Sequence, residues 1–193
     1  MKNQLRLSGG RKLQSPQGIG TRPTTARVRE AVMNLVGEKI QDCDWLDLCS
    51  GSGVVACEAL QRGARRVLAI EEDKQTAKIC KSNLISIASG LGQNHFVEVI
   101  CKEVISVLKK GCQKFQRFEE PNSRFDLVYF DPPYESKIYS LVLEMLLAGN
   151  WIKKDSLVIC EHSSSIELDA PYKWIKRSKR TYGSSALLLI SPP

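Results

Sequence analysis

What this sequence has little of narrows the reading first. No apolar run approaches the ~20 residues of a membrane-spanning helix; "ALLLI" at 186–190 is among the longest. The opening "MKNQLRLSGG" lacks the apolar stretch of a secretory leader, so a cytoplasmic protein is expected. The seven cysteines (43, 49, 57, 80, 101, 112 and 160) are odd in number and never form a C-x-x-C pair. That argues against a disulfide framework and a structural zinc site; most fall in apolar runs, where cysteine acts as a small hydrophobe. His95 and His162 stand alone, are expected in loops or at the surface, and are given no chemistry; no metal is expected. With no internal repeat or low-complexity linker, 193 residues of 42% hydrophobic and 25% charged composition suit one soluble domain. The expected division is a basic hairpin or arm over 1–20 and a single globular domain over 21–193.

Charge is present in excess and unevenly placed. Residues 1–40 hold eight basic residues against Glu30 and Glu38, a balance of +6 out of a net +7. A second cluster, "YKWIKRSKRTYG", interleaves Lys173, Lys176, Arg177, Lys179 and Arg180 with Tyr172, Trp174 and Tyr182. Either cluster could be an ordinary solvated face. Together, flanking a balanced middle, they suit a polyanionic partner such as nucleic acid.

Apolar, β-branched runs recur at 44–48, 66–70, 95–100, 125–130 and 156–160. Between them, 74–88 and 138–146 carry apolar residues at helical spacing. Strand alternating with helix predicts an α/β sheet covered on both faces, because parallel strands need crossover connections. Two further strand-like runs, about 173–181 and 185–190, surround "YGSS" and predict a closing hairpin. Ahead of the sheet, "TRPTTARVREAVMNLVG" predicts a helix: Pro23 blocks its N-terminal side, Thr24 or Thr25 caps it, and Gly37 stops it.

"WLDLCSGSGVVACEAL" joins the first core strand to a helix, the place where open α/β sheets bind ligands. Gly51 and Gly53 allow close backbone approach. The loose G-x-G-x-x-A pattern admits a nicotinamide dinucleotide as well as S-adenosylmethionine. Glu71, at the end of the next strand, suits the ribose hydroxyls of either. Asp47 favours S-adenosylmethionine: a carboxylate there would repel a pyrophosphate but attract the sulfonium and ammonium groups. After the third strand, Glu103 is the candidate for contacting adenine.

The fourth run ends abruptly in "FDPPYES". Aspartate and paired prolines also make ordinary turns. Chemistry gives them a second use, since an exocyclic amine on a nucleobase is a poor nucleophile until its hydrogens are held and its lone pair aimed. That task needs acceptors without competing donors. Asp131 supplies a carboxylate and Pro132 a carbonyl; Pro132 and Pro133 have fixed φ and no N–H. Tyr134 offers a flat surface for a flipped-out base.

"LDLCSGSG", "AIEED" and "FDPPY" resemble the motifs of amino-modifying class I S-adenosylmethionine-dependent methyltransferases. "TRPTTARVREAVMNLV" resembles the segment typical of the RsmD family. The likeness runs from about Arg6 to Ile190. It implies a Rossmann-like, mostly parallel seven-stranded sheet with helices on both faces and a C-terminal antiparallel hairpin. It also implies methylation of a guanine N2 in 16S small-subunit ribosomal RNA, by a metal-free cytoplasmic monomer that uses S-adenosylmethionine. On that resemblance Asp47, Gly51, Ser52, Gly53, Glu71 and Glu103 hold the donor, and Asp131, Pro132, Pro133 and Tyr134 hold the amine. Arg11, Lys12, Arg22, Thr24 and Arg27 fall in stretches expected to contact RNA. The sequence departs from the family in a shorter "LRLSGGRKL" hairpin, in Cys49–Ser50 where an aromatic–small pair is usual, and in Glu103 where aspartate or asparagine is usual. DNA adenine or protein glutamine methylation shares the proline signature, and a non-catalytic ribosome-assembly module is the reading from another class.

Overall fold

A computed structural model of the chain describes residues 5–16, 24–92, 95–115, 124–133 and 138–193. Its centre is one seven-stranded sheet: β1 (Asp44–Leu48), β2 (Arg66–Glu71), β3 (Phe96–Cys101), β4 (Phe125–Phe130), β5 (Ile152–Ser163), β6 (Ile175–Tyr182) and β7 (Ser185–Ser191). The strands lie in the order β3-β2-β1-β4-β5-β7-β6. The first five run parallel, and β7 is antiparallel to both neighbours, giving the C-terminal hairpin. Chain order reverses between β1 and β4, so the crevice for a ligand opens beyond their carboxyl ends.

Among the described residues five α-helices cover the sheet: α1 (Ala26–Val36), α2 (Val54–Gln61), α3 (Lys74–Leu91), α4 (Val104–Leu108) and α5 (Tyr139–Ala148). β1 and β4 are central because they are apolar on both faces. Trp45 and Leu127 join the core under α1, α2 and α3, while Leu46, Val128 and Phe130 join the core with α4 and α5. Thr25 is the cap of α1, its hydroxyl accepting from the Val28 amide at 3.3 Å, and Gly37 (φ 55°) ends the helix. The short α4, not anticipated from spacing, starts on Glu103, whose carboxylate accepts from the Ile105 and Ser106 amides at 2.9 and 2.8 Å.

The described part of the N-terminal segment is a hairpin, with an antiparallel bridge between Arg6 and Lys12. Leu5, Leu7 and Leu13 are buried in the same core as α1, α2 and α3, so the hairpin is packed down rather than an arm. Arg29, counted above among the N-terminal charges, is also inside. It pairs with buried Glu58 at 3.4 Å and donates to the carbonyls of Thr24 and Arg6, both at 2.7 Å. Glu58 accepts from the amide and hydroxyl of Ser8 as well, so one buried ion pair joins the hairpin, α1 and α2.

β5 is longer at both ends than the apolar run 156–160. Its start pairs Ile152 with Phe125 and then shifts register before Leu157 meets Leu127. Its end is zipped to β7 as far as Ser163 opposite Ser185. That extension carries His162 into the interior, against the surface position expected of it; burial lowers its pKa, and Nδ1 lies 2.8 Å from the Ser163 carbonyl. Five of the seven cysteines are buried and all are free thiols. Among the described residues no helix is long and apolar enough to cross a membrane, and no cluster is suited to a metal ion.

Candidate active site

The loops after β1 and β4 come together at the reversal point. The Asp131 amide donates to the Leu48 carbonyl at 3.4 Å, tying the first residue after β4 to the last of β1. Between these loops lies a cavity of about 460 Å³, within the size range of small-ligand sites. Gly51, Ser52, Glu71 and Glu103 line it together with Asp131, Pro132, Pro133 and Thr24.

The glycine turn is built for this approach. Cys49 (φ 60°), Gly51 (φ 54°) and Gly53 (φ 73°) all take positive φ, and a non-glycine residue there stores strain. The two glycines have different reasons. A Cβ on Gly51 would meet nothing within 4 Å, so that backbone faces open cavity. A Cβ on Gly53 would lie 2.6 Å from the Cys80 sulfur, so Gly53 serves the packing of α2 on α3. The Ser52 carbonyl is held by the Asn83 amide at 3.0 Å, and the Glu71 carboxylate closes the turn by accepting from the Gly51 amide at 2.8 Å. Its other oxygen accepts from Asp73 N–H at 2.9 Å.

Asp47 lies beneath that turn, 1% exposed. Among the described residues neither of its oxygens meets a hydrogen-bond partner of ordinary geometry, the Ala56 amide giving only a weaker favourable contact. Burial pushes its carboxyl up to about 8, with the Glu71 charge adding to the rise. A buried carboxyl without a partner is what a cationic ligand would satisfy. The cavity, the open face at Gly51 and this carboxyl together fit a sulfonium-bearing donor.

Strand geometry puts more acid in the same place. Side chains alternate between faces along a strand. Asp47, Tyr129 and Glu161 each lie two residues after Trp45, Leu127 and Ile159, and so share their face of the sheet. Asp131 follows two residues after Tyr129, just past the strand end. Phe130 pairs with Cys160, so Asp131 and Glu161 are lateral neighbours, and both line the cavity. Burial first, and then the Glu161 and Asp47 charges, hold the Asp131 carboxyl well above the usual carboxylate range; a hydrogen bond with the Thr24 side chain pulls it back down. Tyr129 Oη donates to Glu161 Oε2, and Tyr139 Oη donates to the Glu161 carbonyl at 2.8 Å.

Thus Gly51, Ser52, Glu71, Glu103, Asp131, Pro132, Pro133 and Thr24 surround one cavity, with Asp47 buried behind it and Gly53 behind the turn. Arg11, Lys12 and Arg27 do not line it: Lys12 and Arg27 are exposed, and Arg11 donates to the Ser86 carbonyl at 2.6 Å. Arg22 and Tyr134 lie outside the described residues. Sequence spacing does not single out Glu161 and Tyr129, because only strand pairing brings them beside Asp131. The period-two spacing of "VICEH" was the available signal. The second basic cluster falls on β6, at the sheet edge, where Lys176, Arg177, Lys179 and Arg180 are exposed. Charge there also blocks edge-to-edge pairing.

Comparison with known proteins agrees with this geometry. The family model described as "Conserved hypothetical protein 95" matches residues 7–191. Ribosomal RNA small subunit methyltransferase D of Haemophilus influenzae is 32% identical over 174 residues, covering 90% of this chain and 84% of that protein. The chain belongs to the ribosomal RNA small subunit methyltransferase D (RsmD) family. The solved structure of yhhF from Escherichia coli superposes with a TM-score of 0.76 at 27% identity, covering 98% of each chain. A more distant likeness, TM-score 0.66 at 14% identity, is to SMU.776, solved with SAH; it covers 89% of this chain and 50% of that one and speaks for fold alone. For this RsmD-family chain the Rossmann-like methyltransferase fold, with its closing antiparallel hairpin, is established by the sheet itself and by these neighbours.

Proposed function

We propose that this protein transfers a methyl group from S-adenosylmethionine to the exocyclic N2 amine of a guanine in 16S ribosomal RNA. The observation that carries the proposal is the meeting of two loops: an acceptor-only Asp-Pro-Pro end of β4, tied through the Asp131 amide to the end of β1, across a cavity from the glycine turn. The names of the relatives support ribosomal RNA as substrate. A small-subunit substrate would place the enzyme in the cytoplasm.

When bound, the donor supplies a methyl carbon made electrophilic by an attached sulfonium. Around it, Asp47 offers the negative charge that stabilises cationic groups, Glu71 offers acceptors to ribose hydroxyls, and Gly51 and Ser52 supply a surface without side-chain bulk. Glu103 flanks the region given to adenine. On the other side, the Asp131 carboxylate and the Pro132 carbonyl accept the two hydrogens of the amine. This aims its lone pair, and the pre-set φ of both prolines fixes the carbonyl direction. The Thr24 hydrogen bond favours the charged, accepting form of Asp131 against burial and the Glu161 and Asp47 charges, which hold its carboxyl well up. That form would be favoured further by a cationic donor in the cavity. Asp131 then takes the proton that N2 loses as it becomes a secondary amine. Tyr134 is assigned the stacking surface, and Arg11, Lys12, Arg22 and Arg27 the backbone contacts.

The test is labelled methyl transfer to three substrates side by side: small subunits from a strain lacking the enzyme, duplex DNA, and release-factor protein. Nucleoside analysis of the RNA follows. The proposal expects N2-methylguanosine at a single position. Label in adenine or glutamine, or none at all, would overturn it.

A further inference from the structure

We infer that Glu161, at the carboxyl end of β5, is a specificity-determining residue that accepts the N1–H of the target base and so selects guanine over any base with an N1 lone pair. This rests on the guanine reading above and goes beyond it by naming the group that reads the ring.

The geometry starts from register. Phe130 of β4 is paired with Cys160 of β5, so the residue after each, Asp131 and Glu161, emerges side by side at the cavity wall. Neighbouring strands lie ~4.8 Å apart. The Watson–Crick edge of guanine places two kinds of donor next to each other, the N1–H and the N2 amine. An amine held by Asp131 therefore presents N1–H toward the adjacent strand, where Glu161 stands.

Chemistry gives the contact its direction. Glu161 is 2% exposed, and its carboxylate is oriented by the Tyr129 hydroxyl, which donates to Oε2. Burial and the charges of Asp131 and Glu161 push the Tyr129 phenol well up, so the phenol keeps its proton and is the donor in its hydrogen bond to Glu161. A carboxylate has about four lone-pair sites and can accept from more than one donor at once. With Asp131 in its charged form, the cavity wall formed by Asp131, Pro132 and Glu161 would present acceptors to the base edge. Guanine, with donors at both N1 and N2, complements that wall. Adenine and 2-aminopurine carry a lone pair at N1, which would face a buried carboxylate with nothing between them. Sites built around such a polar contact reject the analogue that lacks it far more strongly than apolar pockets reject a shape change.

The decisive comparison uses small subunits reconstituted with RNA that carries guanine or 2-aminopurine at the mapped target position. 2-Aminopurine retains the N2 amine but lacks the N1 hydrogen together with the O6 oxygen, so the shift of the ratio in Glu161→Gln is what reads the N1 contact. The wild-type enzyme should prefer guanine by at least about 100-fold in kcat/KM. Glu161→Gln, whose amide can donate to an N1 lone pair, should shift that ratio toward 2-aminopurine by a comparable factor. Wild-type transfer to both bases at similar rates would overturn the inference while leaving the guanine reading standing, and this arm needs no variant to fold. A folded Glu161→Gln that slows both substrates equally would also overturn it, reducing Glu161 to a support for Tyr129. Absence of wild-type transfer to any guanine would remove the guanine reading and this inference with it.

Discussion

Replacing Asp47 by asparagine should stabilise the ligand-free protein, and by more the higher the pH. Burial raises the folded-state carboxyl to about 8, whereas in the unfolded chain it titrates near ~3.9. Between those values the folded state holds a proton that the unfolded state has released. The stability this contributes is therefore complete below about pH 4 and is lost as pH climbs toward about 8. Each pH unit in that window is worth about 1.4 kcal/mol, so from pH 5 to 7 the wild type loses roughly 3 kcal/mol that the asparagine variant keeps. Asparagine adds a cost of its own, because its amide also lacks partners; that offset, roughly 1–3 kcal/mol, does not change with pH. Urea unfolding of both proteins at pH 5, 6 and 7 reads the effect: Asp44, also raised by burial, is common to both, and Asp131 changes only by losing the Asp47 charge that adds to its own rise. A stability difference constant across that range to within about 1 kcal/mol would refute the reasoning. The donor should show the mirror image: its stabilisation of the wild type grows with pH as Asp47 ionises beside a cation, and the variant shows no such trend.

Arg29→Ala should destabilise the fold by about 3–5 kcal/mol, since it strands buried Glu58 without its cation, and chemical denaturation would read the loss. Arg29 counted as a surface charge would instead predict a change within about 0.5 kcal/mol. The glycines of the turn should separate in kind. Gly53→Ala drives a methyl group to 2.6 Å from the Cys80 sulfur and should lower the unfolding midpoint. Gly51→Ala meets open space, so it should cost only the ~1 kcal/mol of its positive φ while weakening donor binding in a calorimetric titration. RNA affinity should fall steeply between low and physiological salt if the exposed arginines and lysines of β6 and the N-terminal segment contact phosphates. A flat salt profile in a filter-binding assay would remove them from the interface.

How much of this was legible beforehand depends on whether the signal was local. β1 and β4 match the expected runs because each is apolar on both faces and bounded by turn residues at either end. The start of α1 was readable for a similar reason: the cap, the proline before it and the stopping glycine all lie within one short segment. β5 was underestimated because "IKKD" is polar, and its pairing is decided by Phe125 and by the Lys153–Asp126 ion pair rather than by its own pattern. Arg29 looked like one more basic residue in a basic stretch; its burial depends on Glu58, 29 positions away, and on the hairpin carbonyl of Arg6. The donor turn and the Asp-Pro-Pro end were visible as motifs. Glu161 was not, because its importance comes from standing beside Asp131, a pairing set by register across 30 residues of chain. Leu5, Leu7 and Leu13 carried an alternating signal in "LRLSGGRKL" that points to a packed hairpin.

The proposed mechanism divides the labour between the loop after β1, assigned to the donor, and the loop after β4, assigned to the amine. Asp131→Ala, examined by donor titration and by single-turnover methyl transfer on the same preparation, tests that division most directly. The expected result is donor affinity within about threefold of wild type together with a transfer rate reduced by roughly 10²–10⁴. Transfer near the wild-type rate, or loss of donor binding in step with loss of transfer, would contradict it.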